Sequence, residues 1–163
     1  MSSVRNLAII LILASLLGGA GPSQAAPPAQ GAPPAQGFAI TLADSGEVVL
    51  TDADVEAYLQ KTNQILLSEE GLRKWESYRT ERGRSRLYMR DFVLTIDGAE
   101  MYRGHISSMI SSMIGRGVRI LDALYVRDRK LRVEFNALDD DSLPDPRQRP
   151  ELMSYFREQD KLR

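Results

Sequence analysis

Five arginines between residues 79 and 90 are the side chains whose type and spacing best suit a binding chemistry. They are Arg79, Arg82, Arg84, Arg86 and Arg90, with no lysine among them. Guanidinium groups bind carboxylates and phosphates through two parallel hydrogen bonds. The alternate spacing of residues 82, 84 and 86 predicts one basic side of an extended segment. The cluster could bind an anionic polymer, a lipid headgroup or an acidic protein surface. Charge runs are more often a solvated face, which here would pair with the chain's own acidic residues.

His105 is the only histidine of the chain, and it is the residue around which a hydrolytic site could form. A triad can be written with Asp97 and one of the serines at positions 107, 108, 111 and 112. No Gly-x-Ser-x-Gly turn accompanies these serines, and residue types without geometry fit many chains. We therefore predict no catalytic residues. The alternative function is a small hydrolase-like enzyme of the cell envelope with a pocket near His105. Five aromatic residues could line such a pocket, although this spacing more often indicates core: Tyr58, Trp75, Tyr78, Tyr88 and Tyr102.

Two further patterns have the composition of metal sites. One places soft ligands for Cu(I) at four-residue intervals, as a helix face would present them: Met101, His105, Met109 and Met113. Met101 is expected on a strand, which interrupts that run. The other is an acidic loop that contains Asp139, Asp140, Asp141, Ser142 and Asp145. Pro144 interrupts this loop, and the glycine and closing glutamate of a calcium loop are missing. The sequence predicts no metal ligand and no cofactor.

The composition limits the kinds of function the chain can have. No cysteine is present, which excludes disulfides, thiolate metal ligands and cysteine nucleophiles. The formal net charge is −1, and loss of Arg5 with the leader would make it −2. This charge argues against general nucleic-acid binding, which requires a basic footprint. The partner expected is a protein or an anionic component of the cell envelope.

The first 37 residues predict a leader and a spacer. Residues 1–25 have the order of a secretory signal peptide: Arg5, then the apolar run Leu7–Leu17, then small residues that end at Ala25. Residues 26–37 are a duplicated hexapeptide of Ala, Pro, Gln and Gly, which is typical of an extended spacer. Residues 38–163 remain as a single domain. We expect the protein to be exported, periplasmic or secreted, with no transmembrane helix after cleavage. Retention of the leader as a membrane tether is the alternative.

Hydrophobic periodicity and turn residues predict the elements of the domain. The predicted strands are Phe38–Leu42, Glu47–Leu50 and Gln64–Leu67, followed by a hairpin of Asp91–Ile96 with Ala99–Gly104 and a second hairpin of Val118–Val126 with Leu131–Ala137. The first hairpin turns at Asp97-Gly98 in a type I′ turn, which would place Leu94 opposite Met101. Predicted helices run from Thr51 to about Gln60, from Ser68 towards Gly83, over the apolar stripe Ile106–Ile114, and onward from Pro150.

These elements predict an α+β domain in which two or three helices cover an antiparallel sheet built from hairpins. The charged cluster and the absence of an assembled catalytic motif favour a non-catalytic binding domain over an enzyme.

Overall fold

The computed structural model describes residues 36–81, 83–108, 116–122, 127–137 and 142–163. The predicted leader and most of the spacer lie outside these residues. The strands are β1 Phe38–Leu42, β2 Val48–Thr51, β3 Val55–Leu59, β4 Gln64–Leu67, β5 Asp91–Ile96, β6 Ala99–Ser108, β7 Gly117–Asp122 and β8 Lys130–Asn136. The helices are α1 Glu69–Ser77 and α2 Pro150–Glu158. In the part of the chain that the structure describes, no helix is long and apolar enough to span a bilayer.

The strands form one mixed sheet in the order β2-β1-β5-β6-β7-β8-β4-β3. The α+β class is therefore confirmed, whereas the purely antiparallel sheet of hairpins is wrong. Neighbouring strands run antiparallel except for β6 and β7, which are parallel. Alternating hydrophobicity indicates that a segment is a strand, but it does not specify the direction of the neighbouring strand.

The sheet curls, because its two outermost strands are joined directly. β2 and β3 lie at opposite ends of the strand order, yet only the single 3-10 turn Asp52–Asp54 connects them. A flat eight-stranded sheet would hold these edges far apart, since neighbouring strands are about 4.8 Å apart. Helix α2 packs across the junction. The ring of Phe156 lies 5.5 Å from that of Phe38 in β1 and 5.2 Å from that of Tyr58 in β3.

The concave face of the curled sheet holds the core. Alternate residues of the strands point into it, including Phe92, Leu94 and Ile96 of β5, as their spacing predicts. Helix α2 contributes Leu152 and Phe156, both fully buried. Burial of aliphatic and aromatic surface at about 25 cal/mol per Å² is therefore the main force that holds strands and helix together.

The predicted helix from Thr51 to Gln60 is wrong. Its beginning forms the 3-10 turn, and the backbone N–H of Thr51 donates to the Asp54 carboxylate at 2.7 Å. The chain then becomes strand β3, which pairs with β4 through a turn at residues 60–63. β-Branched and aromatic residues such as Val55 and Tyr58 suit a strand, and tertiary pairing outweighs the capping signal.

The first hairpin forms where the sequence predicts it, but in a shifted register. Asp97 and Gly98 have φ angles of 49° and 78°, as a type I′ turn requires. Leu94 lies opposite Tyr102 instead of Met101, because a β-bulge follows Leu94. The bulge places one extra residue in β6, so that Met101 and Tyr102 are both buried.

Strand β6 continues through Ser108, although the sequence predicts that a helical stripe begins at Ile106. Ile106, Ser107 and Ser108 are therefore strand residues, and their backbones align with β7. The prediction fails because pairing with β7 extends the strand through residues 106–108, and this tertiary pairing outweighs a local helical pattern. Residues 109–115, which carry the rest of the stripe, lie outside the described residues.

Helix α1 begins as its cap residue predicts, since the Ser68 hydroxyl accepts a hydrogen bond from the N–H of Gly71 at 3.0 Å. The helix ends at Ser77, before the predicted stop at Gly83, and the chain then turns back so that Arg79 faces Ser85. Gly71 allows close packing: a Cβ at this position would lie 2.1 Å from the carbonyl oxygen of Asp54. The glycine that weakens the helix prediction is therefore a contact point for the 3-10 turn.

The C-terminal residues tie the outer edge of β3 to helix α2. Pro150 is the first residue of α2, as predicted. After the helix, the N–H of Tyr58 donates to the carbonyl of Lys161, and the N–H of Arg163 donates to the carbonyl of Tyr58. This short parallel pairing satisfies backbone groups that an edge strand would leave exposed.

The 3-10 turn is bound by both helices through its two acidic residues. Asp52 accepts from the Tyr155 hydroxyl at 2.7 Å and from the Lys161 ammonium at 2.8 Å. Asp54 accepts from the Lys74 ammonium at 2.9 Å. The helices α1 and α2 are thereby attached to the same three-residue connection.

We expect Gly71→Ala to destabilise the domain by about 1–3 kcal/mol, because a backbone carbonyl occupies the space a methyl group would need. Glu76→Ala, an exposed change in the same helix, should alter the free energy of unfolding by less than about 0.5 kcal/mol. Urea denaturation of both variants measures the difference. Equal stability of Gly71→Ala and the native protein would contradict the close approach.

The Asp54 carboxylate should make stability depend on acid. Burial alone would raise the pKa of Asp54, but hydrogen bonds from Lys74 and Thr51 outweigh burial and lower it below 3.8. A lowered pKa stabilises the folded state above the ordinary carboxyl value, and this contribution disappears as pH falls through the folded pKa.

We therefore expect Asp54→Asn to cost about 1–3 kcal/mol near pH 7 and to lose less stability than the native protein below about pH 4. Urea titrations at both pH values measure this effect. Asp160→Asn, which changes a fully exposed carboxylate, is the control. A parallel fall of the native and Asp54→Asn curves would exclude the proposed coupling.

Candidate functional site

The predicted arginine cluster lies in the connection between α1 and β5. We call residues 78–90 the arginine loop. The structure describes four of its five arginines, Arg79, Arg84, Arg86 and Arg90, and Arg82 lies outside the described residues. The loop carries one acidic residue, Glu81, against five arginines.

The first half of the arginine loop is a small hairpin. The N–H of Thr80 donates to the carbonyl of Arg84, and the N–H of Arg86 donates to the carbonyl of Tyr78, both at 2.8 Å. Gly83 near its tip has a φ of 73°, a left-handed conformation that glycine adopts without strain. Arg84 and Arg86 are alternate residues on one arm of this hairpin, so the segment is a paired arm rather than an isolated extended strand.

The second half of the loop consists of two tight turns. The N–H of Tyr88 donates to the carbonyl of Ser85 at 3.3 Å, and the N–H of Arg90 donates to the carbonyl of Leu87 at 3.0 Å. These turns bring residues 84–90 close together in space. Ser85 belongs to both halves of the loop, since it faces Arg79 in the hairpin and its carbonyl accepts the N–H of Tyr88.

The loop is attached to the sheet at its C-terminal end. The side chain of Leu87 is fully buried in the core. The N–H of Met89 donates to the carbonyl of Ile106 at 2.8 Å, and the N–H of Ile106 donates to the carbonyl of Arg90 at 2.9 Å. The C-terminal end of the arginine loop is therefore fixed to the core and to strand β6.

Arg90 binds within the domain. Its Nη2 donates to the Asp44 carboxylate at 2.5 Å and lies 3.4 Å from the Ser45 hydroxyl, in the turn between β1 and β2. The hydrogen bond to Arg90 lowers the pKa of Asp44, and the same bond raises the pKa of Arg90. This guanidinium anchors the loop, so it is poorly placed to bind an external anion.

Arg86 and Arg84 present their charges differently. The guanidinium of Arg86 lies 5.7 Å from the centre of the Tyr78 ring, in a cation–π contact. The Tyr78 hydroxyl donates to Glu47 at 2.9 Å, and burial together with this hydrogen bond raises the pKa of Tyr78 to about 12. Arg84 is exposed, and no described residue pairs with its side chain. Arg79 is half-buried beside them.

Tyr88 and Met89 of this loop are exposed apolar residues, of which the sequence suggested Tyr88 only as a pocket or core residue. They are 45% and 48% exposed and are the two most exposed large hydrophobic side chains of the described residues. The four other aromatic residues considered for a pocket are core residues, so for Tyr88 alone the expectation of core is wrong. Arg86 and Arg90, two residues before and two after Tyr88, are the signal that could have indicated exposure, since alternate residues of an extended segment share one side.

The residues of the hydrolytic alternative are not brought together. His105 lies on the outer face of the sheet, in a row across four strands with Asp91, Arg119 and Glu134. Arg119 in that row binds Glu134 at 2.6 Å. Asp97 lies at the other end of β6, where it accepts the N–H of Gly37 at 2.7 Å. Its distance along the strand from His105 is on the order of 20 Å.

The serines nearest to His105 do not complete a site. Ser107 is buried, and its hydroxyl has no hydrogen-bond partner. It therefore makes no hydrogen bond to His105, which lies two residues away on the same strand. Residues 111 and 112 lie outside the described residues.

The two metal patterns also separate. Met101 and His105 are four residues apart on strand β6, a distance of about 13 Å along an extended chain. Residues 109 and 113 of the copper pattern, and residues 139–141 of the acidic loop, lie outside the described residues. Asp145 of that loop binds the guanidinium of Arg147 at 2.6 Å. The described ranges contain no group of three His, Asp or Glu residues that could hold a metal ion.

Comparison with known proteins gives no relative, so the function is argued from the geometry of the chain. No family model matches this chain, and no curated protein or solved structure matches it either. The arrangement with the clearest chemistry is the arginine loop, which displays two guanidinium groups and two apolar side chains on a hydrogen-bonded support.

The backbone of Met89 predicts a stability effect that tests the loop geometry. Its φ of 62° is left-handed, a region that costs non-glycine residues about 1–2 kcal/mol and that asparagine adopts more readily. We expect Met89→Asn to leave the domain as stable or up to about 1 kcal/mol more stable, although it removes an apolar side chain. Tyr88→Asn, at a position without a left-handed φ, should give no such gain. Thermal unfolding distinguishes them, and a clear loss of stability in Met89→Asn would rule out the described turn.

Proposed function

We propose that this protein is an exported, non-catalytic binding domain that takes an anionic partner through the arginine loop. The observation that carries the proposal is the exposure of Arg84 and Arg86 on a loop that is folded by its own backbone hydrogen bonds and is bonded to strand β6 through Met89 and Arg90. A backbone ordered in this way loses little conformational freedom on binding, which lowers the entropic cost of association.

The other arginines support this role by contrast. Arg90 is paired with Asp44, as expected of a residue that stabilises the fold. Arg84 and Arg86 form no ion pair with a described acidic residue, although the chain contains 22 acidic residues. The alternative of a solvated face that pairs internally thus accounts for Arg90 and leaves these two guanidinium groups available for an external carboxylate or phosphate.

The hydrolase alternative has less support. It requires His105 beside an acidic residue and a nucleophile, whereas Asp97 lies at the far end of the strand and Ser107 is buried. Asp91 is the acidic residue opposite His105, but both lie on the outer face, and no described serine completes the arrangement. The residue types alone would allow a hydrolytic site, but their positions in the fold do not support one.

The proposed location follows from the sequence. Residues 1–25 would direct export and be removed, residues 26–37 would act as a spacer, and residues 38–163 would work outside the cytosol. The lack of cysteine means that the domain is held together by packing and hydrogen bonds in either redox environment.

Binding of inorganic polyphosphate at low ionic strength tests the arginine loop as an anion site. We expect the double variant Arg84→Gln/Arg86→Gln to bind about a hundredfold more weakly, because each of the two lost charge-assisted contacts is worth about 1.5 kcal/mol, or about tenfold in affinity. Its affinity should also depend less on salt concentration, since fewer counterions are released from the polyanion.

The matched control is Arg132→Gln/Arg157→Gln, which removes the same charge at two exposed positions outside the loop. It should retain nearly the native affinity. If the two double variants weaken binding equally, or if the native protein does not bind polyphosphate, the proposed anion site is wrong.

A further inference from the structure

The arginine loop displays two kinds of side chain, cationic and apolar. A simple polyanion in water would bind the cations but would not bury the apolar groups. Arg84 and Arg86 are exposed cations, and Tyr88 and Met89 follow within three residues as exposed apolar groups. The hydrogen bond from the N–H of Tyr88 to the carbonyl of Ser85 folds the apolar residues back beside the basic arm. The loop therefore carries adjacent basic and apolar positions at the surface.

From this juxtaposition we infer that the anionic partner is the surface of a phospholipid bilayer with acidic headgroups. The inference rests on the proposed function and specifies its partner. Guanidinium groups would bind the lipid phosphates, and the Tyr88 ring and Met89 thioether would enter the boundary between headgroups and acyl chains. Tyrosine suits that boundary, because its ring is apolar and its hydroxyl can remain hydrated.

A bilayer fits these side chains better than the other anionic partners. A polyphosphate or polysaccharide chain offers charges but no apolar phase, so it would leave Tyr88 and Met89 exposed. An acidic protein surface would have to supply a matching apolar groove among its carboxylates. A lipid interface supplies phosphates and apolar surface side by side, with anionic charge attracting each nearby basic residue.

The structure holds the apolar side chains outward before any partner binds. Leu87, between Arg86 and Tyr88, is the residue of this turn that enters the core. Met89 adopts a left-handed φ, and its N–H is bound to Ile106 of β6, so the backbone cannot turn the side chain inward without breaking a sheet hydrogen bond. A surface that is already ordered loses little entropy when it docks.

The charges around the loop are compatible with an anionic surface. Asp44 is neutralised by Arg90, and Glu47 accepts the Tyr78 hydroxyl. Glu81 within the loop, Asp91 directly after it and the exposed Glu47 are acids that oppose the attraction. With two displayed arginines and two apolar groups, binding should be peripheral and reversible, and it should weaken with salt.

Co-sedimentation with vesicles tests the inference. The probes are vesicles of phosphatidylglycerol and phosphatidylcholine in equal amounts, vesicles of phosphatidylcholine alone, and polyphosphate in solution. The variants are Tyr88→Asn/Met89→Asn, which removes the apolar groups, and Arg84→Gln/Arg86→Gln, which removes the charges. The control is Leu143→Asn/Arg157→Gln, which makes one apolar and one charge change at exposed positions outside the loop.

We expect the native protein to bind the acidic vesicles and to bind phosphatidylcholine much more weakly. The charge variant should lose about fivefold in partitioning for each arginine removed. The apolar variant should lose on the order of tenfold on vesicles, since its Tyr and Met no longer leave water, while its affinity for polyphosphate stays native. The control should behave as the native protein does.

The outcomes separate this inference from the proposed function. If the apolar variant binds acidic vesicles as tightly as the native protein, the bilayer inference is overturned, and weakened polyphosphate binding by the charge variant would leave the anion site standing. Loss of vesicle and polyphosphate binding to the same degree in the apolar variant would also overturn it, because the apolar groups would then not act on lipid specifically. Native-like binding by the charge variant to every probe would overturn both.

Tyr88→Trp gives a second readout of the same contact. The only tryptophan of the chain, Trp75, is 1% exposed and already in an apolar environment, so its emission should not change on binding. We expect the indole at position 88 to shift to shorter wavelength with acidic vesicles and to stay unshifted with polyphosphate. An emission that does not respond to vesicles bound by the variant would show that this side chain stays in water and would contradict the inference.

Discussion

The three-residue connection between β2 and β3 is the constraint on which the fold depends. It joins the two outer strands of an eight-stranded sheet, so the sheet must curl until those strands meet. Asp52 and Asp54 hold this connection by accepting hydrogen bonds from the C-terminal segment and from α1. Buried or half-buried carboxylates are stable only when such donors compensate for lost water. The two acids therefore specify where both helices attach.

The position of the arginine loop follows from that attachment. Helix α1 is packed on the 3-10 turn through Gly71, and the loop begins where the helix ends. At the other end, Arg90 binds Asp44 in the turn between β1 and β2. Both ends of the loop are thus anchored to the folded domain. Of the described arginines of the loop, Arg90 consequently stabilises the fold, Arg84 and Arg86 remain at the surface, and Arg79 is half-buried.

Local patterns predicted much of the secondary structure because their causes are local. The serine cap of α1, the proline that begins α2 and the Asp97-Gly98 turn each depend on a few neighbouring residues. Predictions failed where distant residues decide the outcome. The segment after Thr51 has a helix-start signal but becomes β3, because β4 and the C-terminal residues supply backbone partners on both sides. The bulge that places Tyr102 opposite Leu94 likewise depends on packing across the hairpin.

The sequence by itself determined the α+β class, the charge blocks and the types of residue available for binding, since composition and periodicity report directly on burial and polarity. It singled out the arginines at positions 79–90 but treated them as equivalent. Only the tertiary structure distinguished Arg90, bound to Asp44, from Arg84 and Arg86, and only it placed Tyr88 and Met89 at the surface beside them. The physical reason is that pairing and exposure depend on which groups the curled sheet brings together, and residues far apart in the chain decide that.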